Sequence, residues 1–91
     1  MTFNVEFSNN FKRDYGKAQK QGKKIDKLDD LIIRLSNGEN IPAKNKDHPL
    51  KGNLKDYREL HIEPDWLLIY QIEGKILRLV GTGSHSYLFS K

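Results

Sequence analysis

The 91-residue sequence contains no cysteine, and it has no apolar run near the roughly 20 residues that a membrane-spanning helix needs. Disulfides and thiolate metal sites therefore cannot stabilise the fold. The first seven residues alternate apolar and polar side chains and lack the long apolar segment of a secretory signal. We expect a single domain over residues 1–91, soluble and cytoplasmic, with no membrane contact and a small core.

Charge is unevenly distributed along the chain. Residues 1–46 contain 10 Lys/Arg and 6 Asp/Glu, whereas residues 47–91 contain 6 of each, so the formal net charge of +4 arises entirely in the first half. Clustered cations are typical of surfaces that bind a polyanion or an acidic partner. A solvated helical face is the simpler alternative, and charge alone favours it.

The first half has the pattern of one strand and two helices. Residues 2–7 alternate as a strand does, and Ser8 is suited to cap a following helix. That helix has an apolar stripe at helical spacing and, on its other side, a basic face formed by Arg13, Lys17, Lys20 and Lys24. A second apolar stripe over residues 25–35 predicts another helix, which ends at Asn37-Gly38.

The second half has the pattern of strands after a long polar connection over residues 38–53. Leu60 and Ile62 alternate with polar neighbours, residues 66–72 are apolar at nearly every position, and residues 75–80 return after a tight Glu73-Gly74 turn. Residues 81–84 are expected to break the last strand. The predicted order is β-α-α-β-β-β, an α+β fold with an antiparallel sheet and both helices on one side.

Three histidines and one aspartate are the candidate catalytic residues. His48 lies in the long connection, His61 on the polar side of a strand, and His85 just after the last strand. Histidine exchanges protons near neutral pH, and Asp65 in a turn is able to orient an imidazole. Surface histidines without a role are the plain alternative. A zinc site is a weaker one, because these residues lack the short spacings of local metal sites.

Two aromatic residues have alternative interpretations. Trp66 begins the apolar strand beside a charged turn, so it is either a core residue or a surface on which an RNA base stacks. Phe89 either packs the C-terminal tail or offers a second stacking group. The sequence leaves both pairs of alternatives open.

Several ordered segments together resemble the YafQ-type toxins of the RelE superfamily. They are DHPLKG at 47–52, YRELHIEPDW at 57–66, LIY at 68–70, TGSH at 82–85 and LF at 88–89. The resemblance implies a RelE-like fold and an endoribonuclease that cleaves messenger RNA on the ribosome without a metal or other cofactor. It also implies a cognate antitoxin as partner, with operator DNA contacted only through the antitoxin complex.

The resemblance also implies roles for individual residues. Four residues match the family's catalytic positions, namely His48, His61, Asp65 and His85, and two match supporting positions, namely Trp66 and Phe89. Cleavage by a ribose 2′-hydroxyl needs a base, an acid for the leaving oxygen and a cation at the phosphate. We expect His85 to be the acid and His48 or His61, helped by Asp65, to be the base. The remaining imidazole would help to neutralise the phosphate, and the basic face would contact ribosomal RNA.

One position departs from the family pattern. Gly81 stands where the family usually has an arginine, four residues before the last histidine. Arg78 has the opposite strand parity and should face away unless a bulge intervenes, which leaves Lys51 as a possible substitute. Loss of an oriented cation commonly costs on the order of a hundredfold in rate.

Three functions therefore remain open. The first is a ribosome-dependent toxin, weakened by Gly81. The second is an impaired homologue that acts mainly by binding antitoxin and co-repressing an operator. The third is a free-standing ribonuclease, which the few cations in the second half disfavour.

Overall fold

A computed structural model describes residues 2–89 and has an α+β fold, as predicted. Its regular elements are β1 (Asn4–Phe7), α1 (Asn9–Lys20), α2 (Ile25–Ser36), β2 (His48–Pro49), β3 (Arg58–Glu63), β4 (Trp66–Glu73), β5 (Ile76–Gly83) and α3 (His85–Phe89). Two short 3₁₀ turns, Ala43–Asn45 and Gly52–Leu54, lie in the connection around β2. No helix in the described part of the chain is long and apolar enough to cross a membrane.

The five strands form one mixed sheet in the order β1-β5-β4-β3-β2. β2 to β5 pair in antiparallel fashion, but β1 runs parallel to β5, with Asn4 beside Ile76. The predicted antiparallel sheet is confirmed for β2 to β5, whereas the edge strand β1 makes the whole sheet mixed. After α1, α2 and the strands β2 to β4, the chain returns so that β5 lies beside β1 and runs in the same direction. The apolar–polar alternation within one strand does not indicate which strand it pairs with.

Both long helices contribute to the core on one side of the sheet. Phe11 of α1 and Leu28 of α2 are buried in the same cluster as Leu60, Leu68 and Leu77 of β3, β4 and β5. Along β3 and β4 the alternate residues therefore point to the other side. We call that side the open face, which carries Glu59, His61, Leu67 and Ile69 and the backbone of Gly81 and Gly83.

Helix α1 protects the edge of β5 where β1 has ended. Ser8 caps α1 by accepting a hydrogen bond from Phe11 N at 3.0 Å, as its position predicted, and its hydroxyl donates to Val80 O at 2.9 Å. Thr82 N donates to the Asp14 carboxylate at 3.2 Å. These contacts give hydrogen-bond partners to backbone groups at the free edge of β5. The strand therefore continues through Gly83 instead of ending near Val80 as predicted.

Candidate active site

The candidate site lies on the open face, around a shallow groove whose lining includes Leu50, Ile69, Gly81 and Phe89. In the sheet register, His48 lies opposite Glu59, Glu59 opposite Ile69, and Ile69 opposite Gly81. His61 starts a neighbouring row across the same face, opposite Leu67 and then Gly83. The β2–β3 residues form one side of the groove, β4 forms its floor, and α3 lies above β5 on the other side.

His48, Glu59 and His61 form a cluster on the β2–β3 side. One carboxylate oxygen, Glu59 Oε2, lies 3.4 Å from His48 Nε2 and 3.5 Å from His61 Nε2. The Glu59 side chain is 7% exposed, against 47% for His48 and 25% for His61. A carboxylate buried so deeply needs polar or charged neighbours, and the two imidazoles supply them.

The other nitrogen of each imidazole faces a backbone carbonyl. His48 Nδ1 lies 2.6 Å from Lys46 O, and His61 Nδ1 lies 3.2 Å from Pro64 O. A carbonyl oxygen only accepts, so each Nδ1 carries a hydrogen. The Nε2 atom of each ring faces the Glu59 carboxylate, which is placed to accept a hydrogen bond from a ring that carries a proton there.

A partly buried polar network holds the segment Asp47-His48 in place through Asp47. Asp47 accepts hydrogen bonds from the Tyr70 hydroxyl, at 2.7 and 2.8 Å, and from Arg58 Nε at 3.2 Å. Burial opposes the charge on Arg58, but its contacts with Tyr70 and Asp47 outweigh that cost and raise the pKa of Arg58. Burial and the Asp47 contact also raise the pKa of Tyr70. The Asp-His segment is thereby fixed against β3 and β4.

His85 is the first residue of α3, and its backbone is anchored by Asp65. The His85 amide donates to Asp65 Oδ1 at 3.0 Å, and the His85 ring packs on Phe89 with centroids 4.9 Å apart. Asp65 thus acts on His85, and the expected help to His48 or His61 has no counterpart among the described contacts. The tail predicted only as a short segment is the helical turn α3, which begins at His85.

Trp66 belongs to the core rather than to an RNA-binding surface. Its side chain is about 1% exposed, and its indole N–H donates to Thr82 Oγ1 at 3.0 Å. A ring covered on both faces cannot stack on a base, so the stacking role placed on Trp66 is incorrect for this conformation. Its support for the site is indirect, since Thr82 also bonds Leu67 O at 2.6 Å beneath the groove.

A bulge changes the expected direction of Arg78. Leu79 pairs with Tyr70 and Gly81 with Ile69, so Val80 is an extra residue in β5. Arg78 pairs with Gln71, two residues from Ile69 along β4. Arg78 and position 81 therefore share the open face, contrary to the parity of an unbroken strand.

Arg78 nevertheless does not take the place of the family's arginine. Its guanidinium contacts Glu6 at 2.9 Å, Glu73 at 2.6 Å and Gln71 at 3.2 Å, and the contacts with Glu73 and Glu6 raise the pKa of Arg78. Lys51, the other candidate, lies exposed just before the second 3₁₀ turn.

The predicted basic face is only partly one surface. Arg13, Lys17 and Lys20 are exposed on α1, but that helix ends at Lys20, and Lys24 stands at the start of α2. Gly22, with a φ of 74°, ends α1 before Lys24 is reached. Lys17 Nζ lies 4.3 Å from the centre of the Tyr87 ring, so it points toward α3.

Glu59 is the main site residue that the sequence predictions omitted. Glu59 and His61 are two residues apart on one strand, so alternation predicts that both side chains lie on the half-exposed polar side of β3. The useful signal was that alternation together with its place between two histidines of the family-like segments. Its burial depends on β2 and the connection around it, which no local pattern predicts.

The comparisons with known proteins agree with this fold. A family model described as a bacterial toxin of a type II toxin-antitoxin system, YafQ, matches residues 3–90. The chain belongs to the YafQ family of toxins. The Escherichia coli K12 mRNA interferase toxin YafQ is 45% identical to this chain over 86 residues, which is 93% of this chain and 94% of the relative.

Two solved YafQ-like structures extend the comparison. In the crystal structure of the E. coli DinJ-YafQ toxin-antitoxin complex, the matching chain is 43% identical, with a TM-score of 0.92 and coverage of 99% of this chain and 100% of that one. A metal-bound toxin from Helicobacter pylori is 43% identical, with a TM-score of 0.89 and coverage of 98% and 100%. Within residues 2–89, no group of three or more His, Asp or Glu residues is placed to hold a metal ion.

Proposed function

We propose that this chain is a ribosome-dependent endoribonuclease that cleaves messenger RNA in the cytoplasm and is inhibited by a cognate antitoxin. Its YafQ family membership supports this, as does the E. coli relative, which is named an mRNA interferase. The E. coli relative in complex with DinJ supports an antitoxin partner for this chain. Operator DNA would be contacted only through the complex with that antitoxin. The observation that carries the proposal is the Glu59 carboxylate between the Nε2 atoms of His48 and His61, together with Asp65, in the turn after β3, holding the His85 amide.

The proposed reaction is a transfer of the phosphodiester to the neighbouring 2′-oxygen. The 2′-hydroxyl attacks phosphorus, the bond from phosphorus to the 5′-oxygen breaks, and a 2′,3′-cyclic phosphate and a free 5′-hydroxyl result. A base takes the proton of the 2′-hydroxyl, and His85 gives one to the leaving 5′-oxygen. No outside reactant is needed.

The geometry favours His61 as the base. Its backbone is two strand spacings from Gly83, about 10 Å, whereas His48 is three spacings from Gly81, about 14 Å. We take this shorter backbone separation as the reason to place the scissile phosphate between His61 and His85. We assign His48, on the outer side of Glu59, to the neutralisation of phosphate charge.

The basic residues of α1 provide a separate proposed contact. Arg13, Lys17 and Lys20, with Lys24 beyond the helix end, would bind ribosomal RNA phosphates and make ribosome association weaken as salt rises. Lys51 and Phe89, at the margins of the groove, would contact the message itself.

Ribosome dependence is tested by incubating the purified protein with one message, either bound to ribosomes or naked. We expect cuts by primer extension only in the ribosome-bound message, because the groove itself carries few cations to hold RNA. Equal cutting of naked RNA would instead indicate a free-standing ribonuclease. Tight antitoxin binding without cutting in either arm would indicate the binding module.

The binding module is a second candidate because position 81 carries no side chain at all on the floor of the groove. Neither Arg78 nor Lys51 takes the place of the family's arginine, since Arg78 is held by carboxylates and Lys51 lies in the connection around β2. In that case antitoxin binding and operator co-repression would be the main activities.

We expect Gly81→Arg to raise the cleavage rate by about tenfold to a hundredfold, because an oriented cation stabilises the transition state. The new Cβ would lie 3.1 Å from Asp14 Oδ2 and 3.4 Å from Leu88 Cδ2, so the melting temperature should fall slightly. Single-turnover cleavage on ribosomes and thermal melting measure the two effects. A folded Gly81→Arg protein that cleaves no faster would contradict the idea that Gly81 weakens the enzyme.

A further inference from the structure

Asp14 is a buried carboxylate that lies outside the histidine cluster. Asp14 is 4% exposed. Its Oδ2 accepts a hydrogen bond from the Thr82 amide, and its Oδ1 accepts one from the Tyr87 hydroxyl at 2.6 Å. The nearest cation is Arg13, whose Nε lies 3.7 Å away and whose side chain is mostly exposed. The carboxylate therefore depends on these two donors for most of its stabilisation.

Tyr87 is the residue of α3 that reaches this carboxylate. Its ring packs directly on Gly83, where a Cβ would lie 2.6 Å from Tyr87 Cδ2, so only glycine allows this approach. The Tyr87 amide donates a hydrogen bond to Ser84 Oγ at 3.1 Å, and the Lys17 ammonium lies over the Tyr87 ring. Each of these contacts holds the ring and its helical turn in one place.

Helix α3 has only five residues, so its position depends on anchors at its sides. Asp65 holds the His85 amide at one end. Within the described part of the chain, the bond from Tyr87 to Asp14 is the one side-chain hydrogen bond that joins α3 to α1. Without this bond, α3 would keep the anchor at His85 and the ring packing on Gly83, but it would lose its side-chain hydrogen bond to α1.

We propose that Asp14 and Tyr87 are a pair of positioning residues that fix α3 on α1 and so hold the His85 imidazole over the scissile phosphate. The catalytic part of this inference rests on the function proposed above. Neither residue touches the substrate in this assignment. Their effect passes through His85, because misplacement of a catalytic group by about 1 Å is enough to cost roughly a hundredfold in rate.

The test is Tyr87→Phe, which removes the hydroxyl and keeps the ring on Gly83. We expect kcat on ribosome-bound message to fall about tenfold to a hundredfold, with KM within about twofold of the wild-type value. In a His85→Ala background the same change should have no further effect, since it acts through that imidazole. A loss of stability alone would lower the residual rate in both backgrounds.

Tyr15→Phe is the matched control. Tyr15 also lies on α1 and donates to an aspartate, Asp29 Oδ1 at 2.8 Å, but it joins α1 to α2 away from the groove. We expect its kcat to equal the wild-type value. If Tyr87→Phe behaves like Tyr15→Phe while His85→Ala abolishes cleavage, the positioning role is wrong and the nuclease function stands.

A second measurement does not depend on activity. The Leu88 amide of α3 donates to the carbonyl of Ser84, the residue just before the helix, so its hydrogen exchange reports whether the turn is formed. Tyr87→Phe should speed this exchange about tenfold or more, and Tyr15→Phe should leave it unchanged. Unchanged exchange in Tyr87→Phe would overturn the proposal even if the wild-type protein cleaved no RNA.

Discussion

Replacing His85 with alanine should lower the rate of message cleavage by about 10²- to 10⁴-fold, the range that a general acid contributes. The imidazole is exposed on the groove and touches Phe89, so its removal leaves no buried cavity and no unpaired buried group. The melting temperature and antitoxin affinity should therefore remain close to the wild-type values. Single-turnover cleavage on ribosomes measures the rate, and circular dichroism checks the fold.

The outcome separates catalysis from binding. Cleavage by a folded His85→Ala protein at a rate within about threefold of wild type would remove His85 from the reaction. If the His85→Ala protein arrested cell growth as strongly as the wild-type protein but cleaved no message, its toxicity would arise from binding. Either result would require a different acid or a different function.

Replacing Glu59 with glutamine should lower cleavage by about 10²-fold while leaving the protein at least as stable. Glutamine keeps the volume but removes the negative charge that faces Nε2 of His48 and of His61. The glutamine oxygen is still able to accept a hydrogen bond from a ring, but it carries no negative charge to balance the proton that the ring takes up. A buried charge is costly to keep, so a stable Glu59→Gln protein that cleaves poorly would show that the charge is retained for activity.

Glu63→Gln is the control for this change. Glu63 lies on the same strand but contacts Lys27 at 3.0 Å, and that contact lowers the pKa of Glu63. The Glu63→Gln substitution removes one negative charge, as Glu59→Gln does, but at a position outside the cluster of His48, Glu59 and His61. We expect normal cleavage from Glu63→Gln, and equal activity of the two glutamine variants would contradict the role given to Glu59.

Local patterns predicted the elements whose stability is local. The Ser8 cap, the two amphipathic helices and the turn at Gly74 all follow from spacing and residue type, and the structure has each of them. The β1–β5 pairing joins residues 4–7 to 76–79, and nothing in either segment specifies a partner that distant. Glycines 81 and 83 suggested a strand break, yet Gly83 is needed for the Tyr87 ring and the edge is covered by α1.

The candidate site was predictable in its histidines but not in their surroundings. Alternation along β3 placed His61 on the polar side, and the family-like segments brought His48 and His85 into the same hypothesis. The burial of Glu59 depends on β2 crossing beside β3, and the attachment of Asp65 to His85 depends on a turn meeting α3. Both are contacts between distant segments, so a pattern within one segment does not reveal them.

The chemical form of the cut ends tests most directly whether the imidazoles on the two sides of the groove act on one phosphate. We expect message cut by the wild-type protein on ribosomes to carry a 2′,3′-cyclic phosphate upstream and a 5′-hydroxyl downstream. Those ends arise only when the neighbouring 2′-oxygen is the nucleophile. A 3′-hydroxyl with a 5′-phosphate would mean that water attacks instead, and would contradict the assignment of base and acid to these residues.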